Sequence, residues 1–161
     1  MLFVVLSLFL SQNLCAQTKA ESENIFAKSY DYVNDFEKIL TPNQIKSLTE
    51  FLKSSEARTK NKILIVTVAS IIPYTDLSDY SRDLDNYLIS KLNIDTSILI
   101  VISKQLRQIQ VQSIDLIRYK LSDNDTQNII TTYAVPEFKK GDYSKGLELA
   151  VEQIMNKLKV Y

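Results

Sequence analysis

The sequence predicts an α/β protein, a three-layer α/β/α sandwich around a small mixed β-sheet that contains a βαβ unit followed by a hairpin. An unbroken apolar run at residues 98–102, mostly β-branched, is typical of a strand buried on both faces. After a short polar turn, Arg107, Ile109 and Val111 alternate with glutamines, which indicates a second strand that is covered more on one face. Amphipathic segments on either side of this pair need such a sheet to cover their apolar stripes.

The first half of the chain predicts a short extended piece that ends in a turn, then a helix, then a strand. An extended piece at residues 30–35 leads to a strong helix start. There Thr41 can cap, Pro42 suits the first helical position, and Gln44 completes a capping box. A second apolar run at residues 63–68 predicts a buried strand.

The next helix completes a βαβ unit. Thr75 or Asp76 can cap it, and its apolar face continues to Leu92. Because a strand precedes and follows this helix, the strands at 63–68 and 98–102 are expected to run parallel with a right-handed crossover between them.

The segment after the hairpin predicts further helices. Residues 122–125, S-D-N-D, suit a helix start, with acidic groups at the positive end of the dipole. Pro136 should kink or end that helix. Both glycines of the chain lie within 139–146, just before a final helix with an apolar face.

Composition limits the classes of function. A chain of 161 residues with 45% apolar residues is long enough for one domain with one substantial core. Lys plus Arg equals Asp plus Glu at 19 each, and no long basic cluster is present. This balance argues against a nucleic-acid partner, because binding to phosphates needs an excess of positive charge on one face.

The first residues predict export. Residues 1–16 are uncharged, and the apolar block at 2–10 is too short for a membrane-spanning helix but fits a signal peptide cleaved after Ala16. A retained anchor, or a lipid on Cys15, is the less favoured alternative. We therefore expect a periplasmic or secreted protein with no stable membrane span after cleavage, a mobile N-terminal segment at 17–29, and one domain at 30–161.

The order of these features resembles the TPM-domain family. The most specific segment is 136–146, P-E-F-K-K-G-D-Y-S-K-G, supported by 102–109, I-S-K-Q-L-R-Q-I, and by the turn at Asp35. The resemblance covers about residues 30–158. It implies an exported or membrane-tethered domain on the periplasmic or thylakoid-lumen side. Some members of the family bind calcium or another divalent ion, and acid phosphatase activity has been proposed for part of it.

Two loops depart from the family pattern. Where the family commonly has Asn-Gly or Asp-Gly before the central strand, this chain has Asp95-Thr96-Ser97, and where the family has a Gly-aromatic-Gly turn after the hairpin, it has Ile114-Asp115-Leu116. Glycine permits positive φ and close approach of the backbone to a ligand. Because ligands of α/β sheets tend to bind at such loops, the replacements predict that the ion site of the family is degenerate here.

The residue types present limit catalysis and metal binding to side chains that act through oxygen atoms. The chain has no histidine, and cleavage after Ala16 would remove its one cysteine, Cys15. Histidine and cysteine nucleophiles, a Ser-His-Asp triad and an ordinary zinc site are therefore excluded. Neither G-x-x-x-x-G-K-[ST] nor G-x-G-x-x-G occurs, so no nucleotide-binding loop is indicated.

The resemblance implies Asp35 as the first candidate ligand of a calcium or magnesium ion. Asp95 is a candidate for a second carboxylate, and Asp115 is a third if the altered turn still points inward. We favour the alternative that Asp35 caps a turn while the other two are solvated loop residues. In the same way, Arg107 and the pair at 139–140 are interpreted as a solvated charged surface rather than an anion site.

Two functions from different classes follow. The first is an exported TPM-like domain that acts as a non-catalytic accessory or interaction module at the cell envelope, with an envelope protein as its unidentified partner. The second is a weak, divalent-metal-dependent acid phosphatase that uses Asp35 and Asp95 with an activated water. A structural oligomer contact through the hairpin edge is a third, minor option.

Overall fold

The computed structural model describes residues 25–159. The predicted signal peptide at 1–16 and most of the predicted mobile segment lie outside the described residues. The elements are β1 (Val33–Asp35), α1 (Pro42–Thr59), β2 (Ile63–Thr67), α2 (Leu77–Leu92), β3 (Ile98–Ser103), β4 (Gln108–Ser113), α3 (Asp115–Arg118), α4 (Asp123–Ile129), a π-helical turn (Ile130–Ala134), α5 (Val135–Lys139) and α6 (Tyr143–Leu158).

The four strands form one mixed sheet in the order β1-β2-β3-β4. β1 pairs with β2 and β2 with β3 in parallel, with Val33 opposite Ile65 and Ile63 opposite Ile98. β4 returns antiparallel to β3, with Ile98 opposite Ser113. The predicted βαβ unit followed by a hairpin is confirmed.

Both faces of the sheet are covered by helices. On one face Ile63, Ile65 and their neighbours on β3 join α1 and α6 in a single apolar cluster. On the other face the alternate residues of the same strands, Leu64 and Val66 among them, pack with α2. This alternation explains why β2 and β3 are apolar without interruption, and it confirms the three-layer sandwich.

The two parallel connections of the sheet run over opposite faces. α1, which follows β1, packs on one face, and α2, which follows β2, packs on the other. Since β1, β2 and β3 are adjacent in that order and run parallel, the two connections have opposite hands, and one is of the rare left-handed kind. At such a point the chain leaves two neighbouring carboxyl ends in opposite directions, and a crevice opens between them.

Side-chain hydrogen bonds cap three helices at the N-termini that the sequence predicted. Thr41 and Gln44 form the expected capping box of α1, and Asp76 caps α2 by accepting from the backbone of Ser78 and Asp79. Asp142 caps α6 by accepting from the Lys145 backbone N–H. These bonds satisfy amides that a helix leaves unpaired in its first turn.

An ion pair ties α4 to the far end of α6. Lys157 Nζ lies 2.6 Å from Asp125 Oδ1. This bond, with further bonds from Ser122, lowers the pKa of Asp125 to about 2. Asp125 also closes the capping box with Ser122 at the start of α4, so one carboxylate serves both a helix start and a contact between helices.

Ile25 and Phe26, within the end of the predicted mobile segment, lie against the core, whereas residues 27–29 are exposed. The Phe26 side chain is 2% exposed, and its ring meets that of Tyr80 edge to face at 5.1 Å. It also contacts Tyr74 and Tyr87. This end of the predicted segment therefore contributes an aromatic ring to the core beside α2. Within residues 25–159, no helix combines the length and apolarity that crossing a membrane requires.

Pro136 does not end the helical segment around it. The chain passes through the π-helical turn, in which the N–H of Val135 bonds to the carbonyl of Ile130, five residues back, and Pro136 then lies in the first turn of α5. Proline at such a position removes one backbone hydrogen bond of the helical segment, and the irregular π-helical turn lies directly before it.

Gly146 lets α6 lie directly on this turn. A β-carbon there would overlap the Phe138 ring and come within 2.9 Å of the Ala134 carbonyl oxygen. The Phe138 ring stacks in turn on Tyr143, at 5.1 Å between centroids and 16° between planes. The absence of a β-carbon at Gly146 therefore leaves the space that the Phe138 ring occupies beside Tyr143.

We predict that Gly146→Ala destabilises the domain by about 1–3 kcal/mol, because the added methyl group has no room. The sign is informative, since glycine to alanine in a helix interior ordinarily stabilises by about 0.5–1 kcal/mol. Urea unfolding measures the change. Ser144→Ala, in the first turn of α6, is the matched control and should stay within about 0.5 kcal/mol of the parent. A more stable Gly146→Ala variant would contradict the packing described.

Candidate functional site

Asp35 closes the crevice at the carboxyl ends of β1 and β2. Its Oδ1 atom accepts a 2.6 Å hydrogen bond from the hydroxyl of Thr67, the residue opposite it in the sheet. The same oxygen accepts from the Ile39 N–H at 3.1 Å, and Oδ2 accepts from the Leu40 N–H at 2.8 Å. Both carboxylate oxygens are thus bonded to donors of the protein itself.

The loop at 36–40 is shaped by these bonds. Lys38 takes a left-handed conformation with φ 59°, and its N–H donates to the Asp35 carbonyl at 3.3 Å. The chain then turns back so that the next two amides face the carboxylate. An aspartate that bonds to backbone groups a few residues ahead is a common way to build such a turn, and here it sets where α1 begins.

Glu37 extends the network to the tip of the β3–β4 hairpin. Its N–H donates to Thr67 Oγ1 at 3.0 Å. Its carboxylate accepts from the backbone N–H groups of Lys104 and Gln105, both at 2.8 Å. One glutamate therefore clamps together two loops that lie 67 residues apart. Sequence reasoning missed Glu37, because no local pattern marks a contact at that separation.

A cleft of about 970 Å³ lies beside this network. Its walls are the loop after β1, the hairpin tip and the region where α5 meets α6. The lining residues are Glu37, Lys38, Ile39, Ala69, Ile102, Ser103, Lys104, Gln105, Arg107, Gln108, Ile109, Val135, Phe138, Lys139 and Tyr143.

The charge of the cleft is predominantly positive. Lys38, Lys104, Arg107 and Lys139 line it, and Glu37 is the one carboxylate among its lining residues. The oxygens of Glu37 are engaged by the hairpin backbone. Lys139 and Arg107, interpreted from sequence as solvated surface charges, are exposed but line the same cleft. The environment therefore favours an anionic ligand over a cation.

Asp95 and Asp115 lie at the opposite end of the sheet from Asp35. Asp95 precedes β3 and is exposed, whereas Asp115 begins α3 after β4. The Asp115 side chain is 95% exposed and lies 3.3 Å from Arg118 Nε. The six residues of β3 separate the two ends by about 20 Å. The structure thus does not bring the three candidate ligands together, and ion binding by any one of them stays a prediction.

Asp85 is the acidic neighbour that the structure reveals for Asp95. Burial raises the pKa of Asp85, the hydrogen bond from Thr96 opposes that rise, and the charge of Asp95 adds to it. The Thr96 hydroxyl donates to Asp85 at 2.9 Å. Across the part of the chain that the structure describes, no cluster of three or more Asp, Glu, His or Cys side chains could hold a metal ion.

The sequence of this chain matches that of a known family of domains. Residues 33–157 match the sequence model of the TPM domain. The chain belongs to the TPM-domain family. The match covers every strand of the sheet and most of α6, so the predicted resemblance is confirmed. No curated protein matches the chain.

Solved structures share the fold of this TPM domain. The N-terminal domain of a protein from P. gingivalis is similar at 21% identity and TM-score 0.69, covering 84% of this chain and 87% of that one. The N-terminal domain of cg2496 from Corynebacterium glutamicum is similar at 12% identity and TM-score 0.61, over 83% of each chain. The BA42 protein from Bizionia argentinensis is similar at 20% identity and TM-score 0.58, over 76% of this chain and 83% of that one.

We predict that Asp35→Ala lowers the free energy of unfolding by about 2–4 kcal/mol, because it leaves the Thr67 hydroxyl and two backbone amides without their acceptor. The loss should be the same with and without calcium, since the carboxylate serves the protein's own donors. Asp95→Ala is the control, and its exposed position predicts a change within about 0.5 kcal/mol. A loss at Asp35 that appears only in calcium would contradict this assignment. Urea titrations with calcium and with chelator give the comparison.

Proposed function

We propose that this TPM domain is a non-catalytic accessory module at the cell envelope, and that it acts by binding a protein partner. The observation that carries the proposal is that both carboxylate oxygens of Asp35 accept hydrogen bonds from the protein itself. Its two oxygens accept three hydrogen bonds from Thr67, Ile39 and Leu40, and it is the candidate carboxylate that lies in the crevice between β1 and β2.

A metal-dependent phosphatase would need that carboxylate for another purpose. Calcium and magnesium are held by carboxylate and carbonyl oxygens, and the bound ion activates the attacking water. An ion at Asp35 would have to compete with the amides of Ile39 and Leu40, in the loop before α1, and the positive charge of Lys38 in the same loop would oppose it. Asp95, the predicted second ligand, is at the other end of the sheet. These points favour binding over hydrolysis.

The envelope location is proposed on the sequence. It depends on the uncharged, apolar residues 2–10 and on Ala16 as the cleavage position. A domain that is exported without cysteine relies on its core rather than on disulfides, and the two apolar clusters on either side of the sheet supply that core.

We expect no hydrolysis of p-nitrophenyl phosphate above the buffer rate at mildly acidic or neutral pH, with calcium or with magnesium. We also expect no heat of binding in a calorimetric titration with calcium up to about 5 mM, which covers the weaker known calcium sites.

The contrary outcome is metal-dependent turnover that Asp35→Asn abolishes. That result would establish the phosphatase function and overturn the proposal. Circular dichroism of each variant shows that the comparison is made between folded proteins.

A further inference from the structure

The cations of the cleft are available to a ligand. No ion pair joins Lys38, Lys104, Arg107 or Lys139 to a carboxylate of residues 25–159. The adjacent Lys140, by contrast, is paired with Glu137 at 2.7 Å. Charges gathered around one concave surface without partners raise the local concentration of anions.

Two of these cations occupy backbone positions that favour glycine. Lys38 and Arg107 have φ of 59° and 55°, in a region that costs a residue with a β-carbon about 1 kcal/mol. Lys60 and Asn93 share this conformation, but each lies at a helix C-cap, where it is common. Lys38 and Arg107 lie in the two loops that line the cleft. Both positively charged residues therefore have a left-handed backbone conformation that is unfavourable in conformational energy.

The cleft also has an apolar floor. The stacked rings of Phe138 and Tyr143 contribute to it, and Lys104 Nζ lies 5.7 Å from the centre of the Tyr143 ring. Ile109 and Val135 extend the apolar surface. A ligand that combines negative charge with one large apolar group would therefore find partners for both.

We propose that the cleft binds an extended acidic segment of a partner protein, with its carboxylates on the cations and one aromatic or large aliphatic side chain on the Phe138–Tyr143 stack. The inference rests on the proposed function, since it names the chemistry of the partner that the module binds. The volume of about 970 Å³ is at the upper end of ligand sites and suits several residues of a chain. The amides of Lys104 and Gln105, which could have cradled a phosphate, are occupied by Glu37.

The test is fluorescence anisotropy of the full-length chain with a labelled eight-residue peptide of Asp and Glu around a central Phe. A peptide with Asn and Gln in their place is the neutral control. We expect saturable binding of the acidic peptide, weaker binding as salt is raised, and at least about tenfold weaker binding of the neutral peptide. Inorganic phosphate at the same concentration should not compete.

Glycine variants separate binding from folding. Arg107→Gly and Lys60→Gly each remove one cation from a left-handed position, so both should keep or raise the melting temperature. We expect Arg107→Gly to weaken peptide binding about threefold and the double variant Lys38→Gly, Arg107→Gly about tenfold, whereas Lys60→Gly changes it less than twofold.

Several results would overturn the inference. These are equal effects of Arg107→Gly and Lys60→Gly, equal binding of the neutral peptide, competition by phosphate, or no binding at all. None of them bears on catalysis, so the non-catalytic function would stand. Metal-dependent turnover of a phosphoester would instead remove that function, whether or not the peptide binds.

Discussion

The hydrogen bond between the Asp35 carboxylate and the Thr67 hydroxyl is the constraint on which the rest of this structure depends. It joins the carboxyl ends of β1 and β2 at the point where the chain leaves them for opposite faces of the sheet. The same carboxylate turns the following loop and so positions the start of α1. Glu37 lies within that loop and holds the hairpin tip, so this one partly buried contact helps to set the shape of the cleft.

A site for a divalent cation is expected to present negative charge, whereas the open surface here presents positive charge. The crevice that would hold an ion is filled by internal hydrogen bonds, and the open surface beside it presents cations. The Asp35 carboxylate thus serves donors of the protein itself, and the adjacent cleft is lined by Lys38, Lys104, Arg107 and Lys139.

Most of the fold could be predicted because its determinants are local. The apolar runs of β2 and β3, and the caps of α1 and α6 at Thr41 and Asp142, each lie within a few residues of the element they specify. Phe26 was missed because it is a single buried ring in a polar stretch with no periodicity. Such a residue acquires its role only from the distant tyrosines that surround it.

The site was harder to predict, for two physical reasons. The clamp between Glu37 and the hairpin tip is a contact of high sequence separation, which leaves no pattern in the sequence. The opposite placement of Asp35 and Asp95, for its part, depends on β1 running parallel to β2 and β3, whereas the sequence predicted only an extended piece at residues 30–35. In parallel strands, a residue after one strand and a residue before another lie at opposite ends of the sheet. Strand direction is therefore a test that any proposed set of ligands should pass first.

Amide hydrogen exchange at Ile39 and Leu40 tests the central claim most directly, because both amides donate to Asp35. If the carboxylate is committed to the fold, both amides should exchange slowly, about a hundredfold or more below the rate of an unstructured chain. Millimolar calcium should leave that protection unchanged. Rapid exchange of both amides, or protection that calcium alters, would mean that Asp35 is free to bind an ion and would contradict the account.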